Sequence, residues 1–235
     1  MQRLDRILSE AGVASRKELR AIIRAGRVTA DGAVVTDESR KFDEAAVHIA
    51  VDSQPVRLRG PVLIMLHKPA GYLTAADDPK AKTVMELVPD EYRRLGVMPV
   101  GRLDKDTEGL LLLTNDGEWM HHLLHPRYEM NKTYEVSVAG AVRGAQEALS
   151  SMTQLDGEPV RPAQVRVLRQ GRDTALLSIT IHEGKNRQIR RMCAAAGLHV
   201  KRLKRVQEHT LKLGDLPEGA WRNLTEQELL ATKSK

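Results

Sequence analysis

Apolar positions at the start of the chain recur at helical spacing. Leu4, Ile7, Leu8 and Ala11 fall on one face of a helix that Gly12 ends. Ser15-Arg16-Lys17-Glu18 is a capping-box pattern, in which the serine hydroxyl accepts from the Glu18 amide and the Glu18 carboxylate accepts from the serine amide. It opens a second helix with Leu19, Ile22 and Ile23 inward and Gly26 at its end. Val28, a turn at Asp31-Gly32 and Val34-Val35 read as a hairpin, and a strand near Val47 to Val51 closes the unit. SQPVRLRGP, residues 53–61, breaks the pattern with Pro, Gly and two Arg and reads as a linker.

Beyond it, short apolar runs alternate with short helical ones. VLIML (62–66), Val97 to Val100, Gly109 to Thr114, Tyr134 to Val138 and Ala175 to Ile181 predict strands; Glu118 to His125 predicts a helix stopped by Pro126. Ile189, Met192, Cys193 and Ala196 give a later helix its apolar face, with Cys193 as packing. The expected fold class is α+β: a small N-terminal helix–helix–hairpin module, residues 1–58, and a larger domain, residues 59–235, on a mainly antiparallel mixed sheet with flanking helices.

Charge changes this picture. The net charge is +6, but its placement says more: Met1 to Ala30 holds seven Lys or Arg against three acids, and Glu183 to Arg205 eight against one. Two concentrated basic segments fit a polyanion better than diffuse charge does. Arg3, Arg6, Arg16, Lys17, Arg20, Arg24 and Arg27 lie largely off the apolar stripes, as a phosphate-facing surface requires; a merely solvated helix face is the plainer reading for any one of them. RLDRILSEAGVASRKELRAIIRAGRVTADGAVV resembles the S4 RNA-binding domain. A single cysteine excludes an internal disulfide, and no signal-peptide shape or bilayer-length apolar run is present, so a cytoplasmic protein without membrane association is expected.

The chemistry gathers at PVGRLDKDTEGLLLLTNDG, residues 99–117, where five charges in the seven positions Arg102 to Glu108 abut four leucines. Asp104-x-Asp106-x-Glu108-Gly109 imitates a calcium loop, but position twelve is Asn115 where a bidentate carboxylate is needed. A two-metal nuclease would use clustered acids, yet Arg102 and Lys105 would compete with the metal for them. His121 and His125 share a helix face without a third ligand at suitable spacing. No P-loop and no dinucleotide fingerprint is present, so no metal and no nucleotide cofactor is expected. What remains is one carboxylate held by arginine, since a neighbouring guanidinium keeps a carboxylate ionised and able to act as nucleophile or base.

GRLDKDTEGLLLLTNDG closely resembles the signature of bacterial ribosomal RNA pseudouridine synthases, in the branch with an N-terminal S4 domain. HKPAG (67–71), KTYEV (132–136), EGKNRQIRRM (183–192) and VKRLKR (200–205) follow in order. The resemblance implies isomerisation of uridine with a flipped base, Asp104 as the catalytic aspartate, Tyr134 stacking on the base, Arg190 pairing with the aspartate, Leu203 lining the uracil pocket, and Arg102 holding the loop or the extruded strand. Each has a plainer reading, Tyr134 and Leu203 as core and the basic residues as solvated surface. RNA phosphates are expected at Arg3, Arg16, Lys17, Arg20, Lys185, Arg187, Lys201 and Arg202. GRLDKDTEG with KTVMELVP looks like the small-subunit branch, whereas AGVASRK and HEGKNRQIRRM look like the large-subunit one, which is preferred. The partner implied is ribosomal RNA, free or in assembling subunits, and the expected state is a monomer. The competing reading is an inactive S4-domain ribosomal RNA-binding or assembly factor.

Overall fold

The helical spacing of the first residues folds into a small core. The computed structural model describes residues 1–14, 16–56, 61–125 and 130–233, with the side chains of all but Arg16 and Lys233. β1 (Gln2–Arg3), α1 (Leu4–Glu10), α2 (Arg16–Arg24), β2 (Val28–Ala30), β3 (Ala33–Val34), β4 (Lys41–Phe42), β5 (Ile49–Val51) and β6 (Gln54–Pro55) follow in order. Helices this short are unstable alone; Leu4, Ile7 and Leu8 of α1 and Leu19 and Ile23 of α2 are held by burial against Val28, Ala30, Val35 and Ile49. The β2–β3 turn has positive φ at both Asp31 and Gly32, the geometry that matches strand twist. The expected linker is corrected in part: Gln54–Pro55 pairs antiparallel with β5, completing the sheet order β3-β2-β5-β6. Residues 57–60, the Ser15 cap and the Pro126 stop lie outside the described residues.

The rest of the chain supplies β7 (Leu63–Lys68), a 3-10 turn at Val84–Leu87, α3 (Asp90–Arg94), β8 (Met98–Val100), β9 (Glu108–Thr114), α4 (Gly117–Leu124) and β10 (Lys132–Gly140). Then come α5 (Ala145–Ser150), β11 (Gln154–Leu155), β12 (Glu158–Pro159), β13 (Gln164–Gln170), β14 (Thr174–Ile181), α6 (Gln188–Ala195), β15 (Leu198–Glu208), β16 (Leu211–Lys212), β17 (Trp221–Asn223) and α7 (Glu226–Lys233). Contacts divide the chain into two compact units: Met1–Leu63 with Val88–Met98 and Leu113–Gly117, and Ile64–Leu87 with Pro99–Leu112 and Glu118–Lys235.

One mixed sheet runs β13-β14-β10-β15-β9-β7-β17, with β8 on β9 and β16 on β15. Its antiparallel pairs include β10 with β14 and β15; β15 meets β9 in parallel. Leu110 to Thr114 of β9 are all buried, as a mid-sheet strand covered on both faces demands. β10 alternates instead: Tyr134, Val136 and Val138 are buried while Thr133, Glu135 and Ser137 are half-buried, so this half of the sheet has one covered and one solvated face. On α6, Ile189, Met192 and Cys193 are buried, and burial pushes the Cys193 thiol up to about 12, so it packs rather than reacts. Among the described residues no helix is long and apolar enough to cross a membrane.

Candidate active site

The loop between β8 and β9 is tied down by the end of β7 and the segment that follows it. Lys68 is fully buried, and its ammonium donates to the carbonyls of Pro69 (3.0 Å), Asp104 (3.1 Å), Lys105 (3.3 Å) and Thr107 (2.8 Å). The Gly71 amide donates to Lys105 O at 2.7 Å. Thr74 clamps Leu103 twice: its hydroxyl donates to the Leu103 carbonyl (2.8 Å) and accepts from the Leu103 amide (3.2 Å). Burial pushes the Lys68 ammonium down to about 8, against the upward pull of the Asp106, Asp104 and Glu108 charges. A buried ammonium thus fixes the backbone on which Asp104 sits, while the Asp104 side chain stays part-exposed.

The far end of the loop is fixed by close backbone approach. Gly109, at φ +106°, faces β15, where an added Cβ would lie 2.2 Å from the Arg205 carbonyl oxygen and 2.6 Å from its nitrogen. Only glycine permits this contact, which registers β9 against β15.

A cleft of about 670 Å³ opens beside the loop. Asp104, Arg102, Tyr134, Leu203, Lys185 and Arg187 all line it, bringing together residues spread over a hundred positions. Tyr134 of β10 stands opposite Arg205 of β15, and Val136 opposite Leu203, so Tyr134, Leu203 and Arg205 project from one face of the sheet. Burial pushes the Tyr134 phenol up, and the Arg205 charge pulls against it. Arg205 is itself buried; its Nε donates to Leu110 O at 2.7 Å, and its guanidinium lies 3.1 Å from Glu208. Lys132 reaches the other Glu208 oxygen at 3.7 Å.

The arginines are distributed differently from expectation. Arg190 meets Asp106, not Asp104: its guanidinium lies 2.9 Å from that carboxylate and donates to Asp106 O at 3.1 Å. Arg187 is the guanidinium beside Asp104, at 4.0 Å, and it also stands 3.8 Å from Asp106. At the start of α6, Arg187 occupies the N-cap position with φ 46° and lines the cleft, while Arg190 sits about one helical turn on and meets Asp106.

Residues 62–195 match the family model described as RNA pseudouridylate synthase, and residues 2–47 match the S4 domain. This chain belongs to the RNA pseudouridine synthases. An RNA pseudouridine synthase of Aquifex aeolicus is 42% identical over 97% of this chain and 92% of its own. Ribosomal large subunit pseudouridine synthase B of Bacillus subtilis is 39% identical over 97% and 94%. A crystal structure of a pseudouridylate synthase superposes with a TM-score of 0.67 at 29% identity, across 99% of this chain and 100% of that one.

Within this synthase the predicted RNA contacts fall into two groups. Lys17 and Lys201 are exposed and hold no ion pair among the described residues. Others are engaged: Arg3 with Asp5 (2.9 Å), Arg20 near Glu38 (3.9 Å), Arg202 with Glu108 (2.6 Å) and Lys185 with Glu158 (3.4 Å). The N-terminal arginines thus have more acids beside them than their stretch of sequence suggests, because Glu38 and Asp52 arrive from later turns. Arg16 opens α2, and its side chain lies outside the described residues. Sequence reasoning missed Lys68, Thr74 and Glu208 and the close approach at Gly109, and it set Arg205, which is buried, among the phosphate contacts. The signal for Lys68 was its place in HKPAG beside Gly71, a motif whose chemistry only the fold explains.

Proposed function

We propose that this synthase isomerises a uridine of ribosomal RNA, on the large subunit, with Asp104 as the reacting group. The observation that carries the reading is one cleft holding Asp104, Tyr134 and Leu203, with the Asp104 backbone fixed by Lys68. The large-subunit assignment is supported by the Bacillus subtilis relative, named for that subunit, and by the AGVASRK and HEGKNRQIRRM motifs. Residues 1–58 act as the RNA grip and 59–235 as the catalytic domain, in a cytoplasmic monomer.

The reaction breaks the C1′–N1 bond, turns the uracil, forms C1′–C5, and exchanges the proton on C5 for one on N1. Atoms balance without a redox partner. Flipping the nucleotide costs a few kcal/mol, and stacking on Tyr134 offsets roughly 1–3 kcal/mol of it. Asp104 attacks the sugar or removes a proton from it; Arg187 and Arg102 flank the path of the strand. Arg205, locked on Leu110 O and Glu208, keeps the wall behind Tyr134 rigid.

The test is tritium release from unmodified ribosomal RNA bearing tritium at uridine C5, with wild type and Asp104→Asn compared. Release by wild type alone supports the reading. No release from free RNA or assembling subunits, with binding intact, would replace it by an RNA-binding assembly factor.

A further inference from the structure

From Arg161 to Arg172 the chain reads RPAQVRVLRQGR, four arginines and no acid. Most of this segment is β13, the end strand of the large sheet. Its register with β14 carries an irregularity: Arg166 stands opposite Ser178, Val167 opposite Leu177, and Arg169 opposite Leu176, leaving Leu168 without an opposite residue. In a regular strand, residues three apart point to opposite faces. The extra residue returns Arg169 to the face of Arg166, which is what a bulge does.

That face is the solvated one. Opposite residues share a face, so Arg166 heads a row through Ser178 and Glu135 to Lys204, and Arg169 a row through Leu176 and Ser137. Tyr134 and Leu203 project from the other side. Among the described residues Arg166, Arg169 and Arg172 are exposed and hold no ion pair, unlike Arg24, which lies 3.0 Å from Glu38. Leu168 beside them is 49% exposed. At the near end of the segment, Arg161 lines the cleft. β13 therefore runs on from the cleft-lining Arg161 for roughly 20 Å, with Arg166 and Arg169 on the sheet face opposite Tyr134 and Leu203.

We propose that this bulged edge strand is an RNA-docking surface, with Arg166, Arg169 and Arg172 contacting phosphates that lie outside the target nucleotide. The inference rests on RNA being the substrate. It implies that the synthase engages an extended stretch of RNA, since a short oligonucleotide filling the cleft does not reach the strand's far end. Charges and a bulge also guard an edge strand against pairing with another chain; that role needs the arginines but no RNA.

The experiment uses the full chain with Arg166→Gln, Arg169→Gln and Arg172→Gln combined. The probes are unmodified ribosomal RNA transcripts and a short oligouridylate. Transcript affinity at about 0.1 M salt should fall at least tenfold, with the log–log salt slope shallower by about 2. Oligouridylate affinity and release at saturating transcript should stay at wild-type values, and Lys at the three positions should restore most of the transcript affinity. Unchanged transcript affinity and slope overturn the proposal, and aggregation of such a variant assigns the arginines to edge protection. Independently of any variant, photocrosslinking wild type to 4-thiouridine-substituted transcript should label the 164–172 peptide; labelling confined to cleft peptides overturns it. Failure of wild type to release tritium would defeat the isomerase reading while leaving these binding readouts intact.

Discussion

α2 and the loop from Arg102 to Glu108 are both dense in charge, yet they are held in opposite ways. On α2, Arg20 and Arg24 share Glu38 through exposed contacts, and Lys17 is free among the described residues. Exposed pairs of this kind contribute about 0–1 kcal/mol and exchange readily for other anions. In the loop, the backbone is gripped by the Lys68 ammonium, the Gly71 amide and the Thr74 hydroxyl, and Leu103 and Thr107 are buried between the charged residues. The contrast separates two uses of charge. A helix that grips a polyanion gains from adaptable side chains, whereas a reacting carboxylate must not move, since a displacement of 1 Å costs on the order of a hundredfold in rate.

The sharpest way to break this comparison is Asp104→Asn, which should abolish tritium release and leave RNA affinity unchanged in a filter-binding titration; residual turnover would remove Asp104 from the chemistry. Gly109→Ala comes next. Its methyl would collide with the Arg205 backbone, so chemical denaturation should show a loss of about 2–5 kcal/mol from strain and overpacking, with turnover lowered in whatever folds. Lys68→Met leaves several loop carbonyls without their donor and should lower kcat by roughly a hundredfold with little change in KM.

Lys68 also gives a pH signature. Its folded pKa of about 8 lies below its ordinary 10.5, so between those values the unfolded chain holds more protons and stability rises with pH. Activity should run the other way, falling above about pH 8 as a neutral amine loses a donor to the loop. A kcat profile flat to pH 9.5 would show that the clamp does not depend on the charge. Lys17→Gln with Arg20→Gln should weaken RNA binding and make its salt slope shallower by roughly 1–2, with kcat unchanged. The smallest effect belongs to Arg24→Gln, which should alter stability by under about 1 kcal/mol in denaturation.

Legibility followed the range of the interactions. The first helices were readable because a repeating apolar spacing, as at Leu4, Ile7 and Leu8, is a local property, and so was the buried β9, announced by four leucines. β15 was hidden because Lys201, Arg202 and Lys204 made it look like a charge cluster, and because an irregularity at Lys201 breaks the strand's alternation before Leu203 and Arg205. In the edge strand β13 the alternation of Gln164 to Val167 is broken at Leu168 by the bulge. The motif order placed Asp104, Tyr134 and Leu203 in one site, and they do line one cleft. Which carboxylate each arginine meets was not legible: Arg187 stands 4.0 Å from Asp104 while the more buried Arg190 meets Asp106, a pairing that depends on how α6 packs beside the loop.

By itself the sequence determined the α+β composition, the two basic segments and the charged loop of residues 102–108, since periodicity, charge and motif order are properties of the chain read along its length. Only the tertiary structure decided that a buried lysine holds that loop, that Gly109 must let β15 pass, and that Arg190 serves Asp106. Each depends on which backbone atoms meet across tens of residues, and desolvation and close approach act only once those atoms have met.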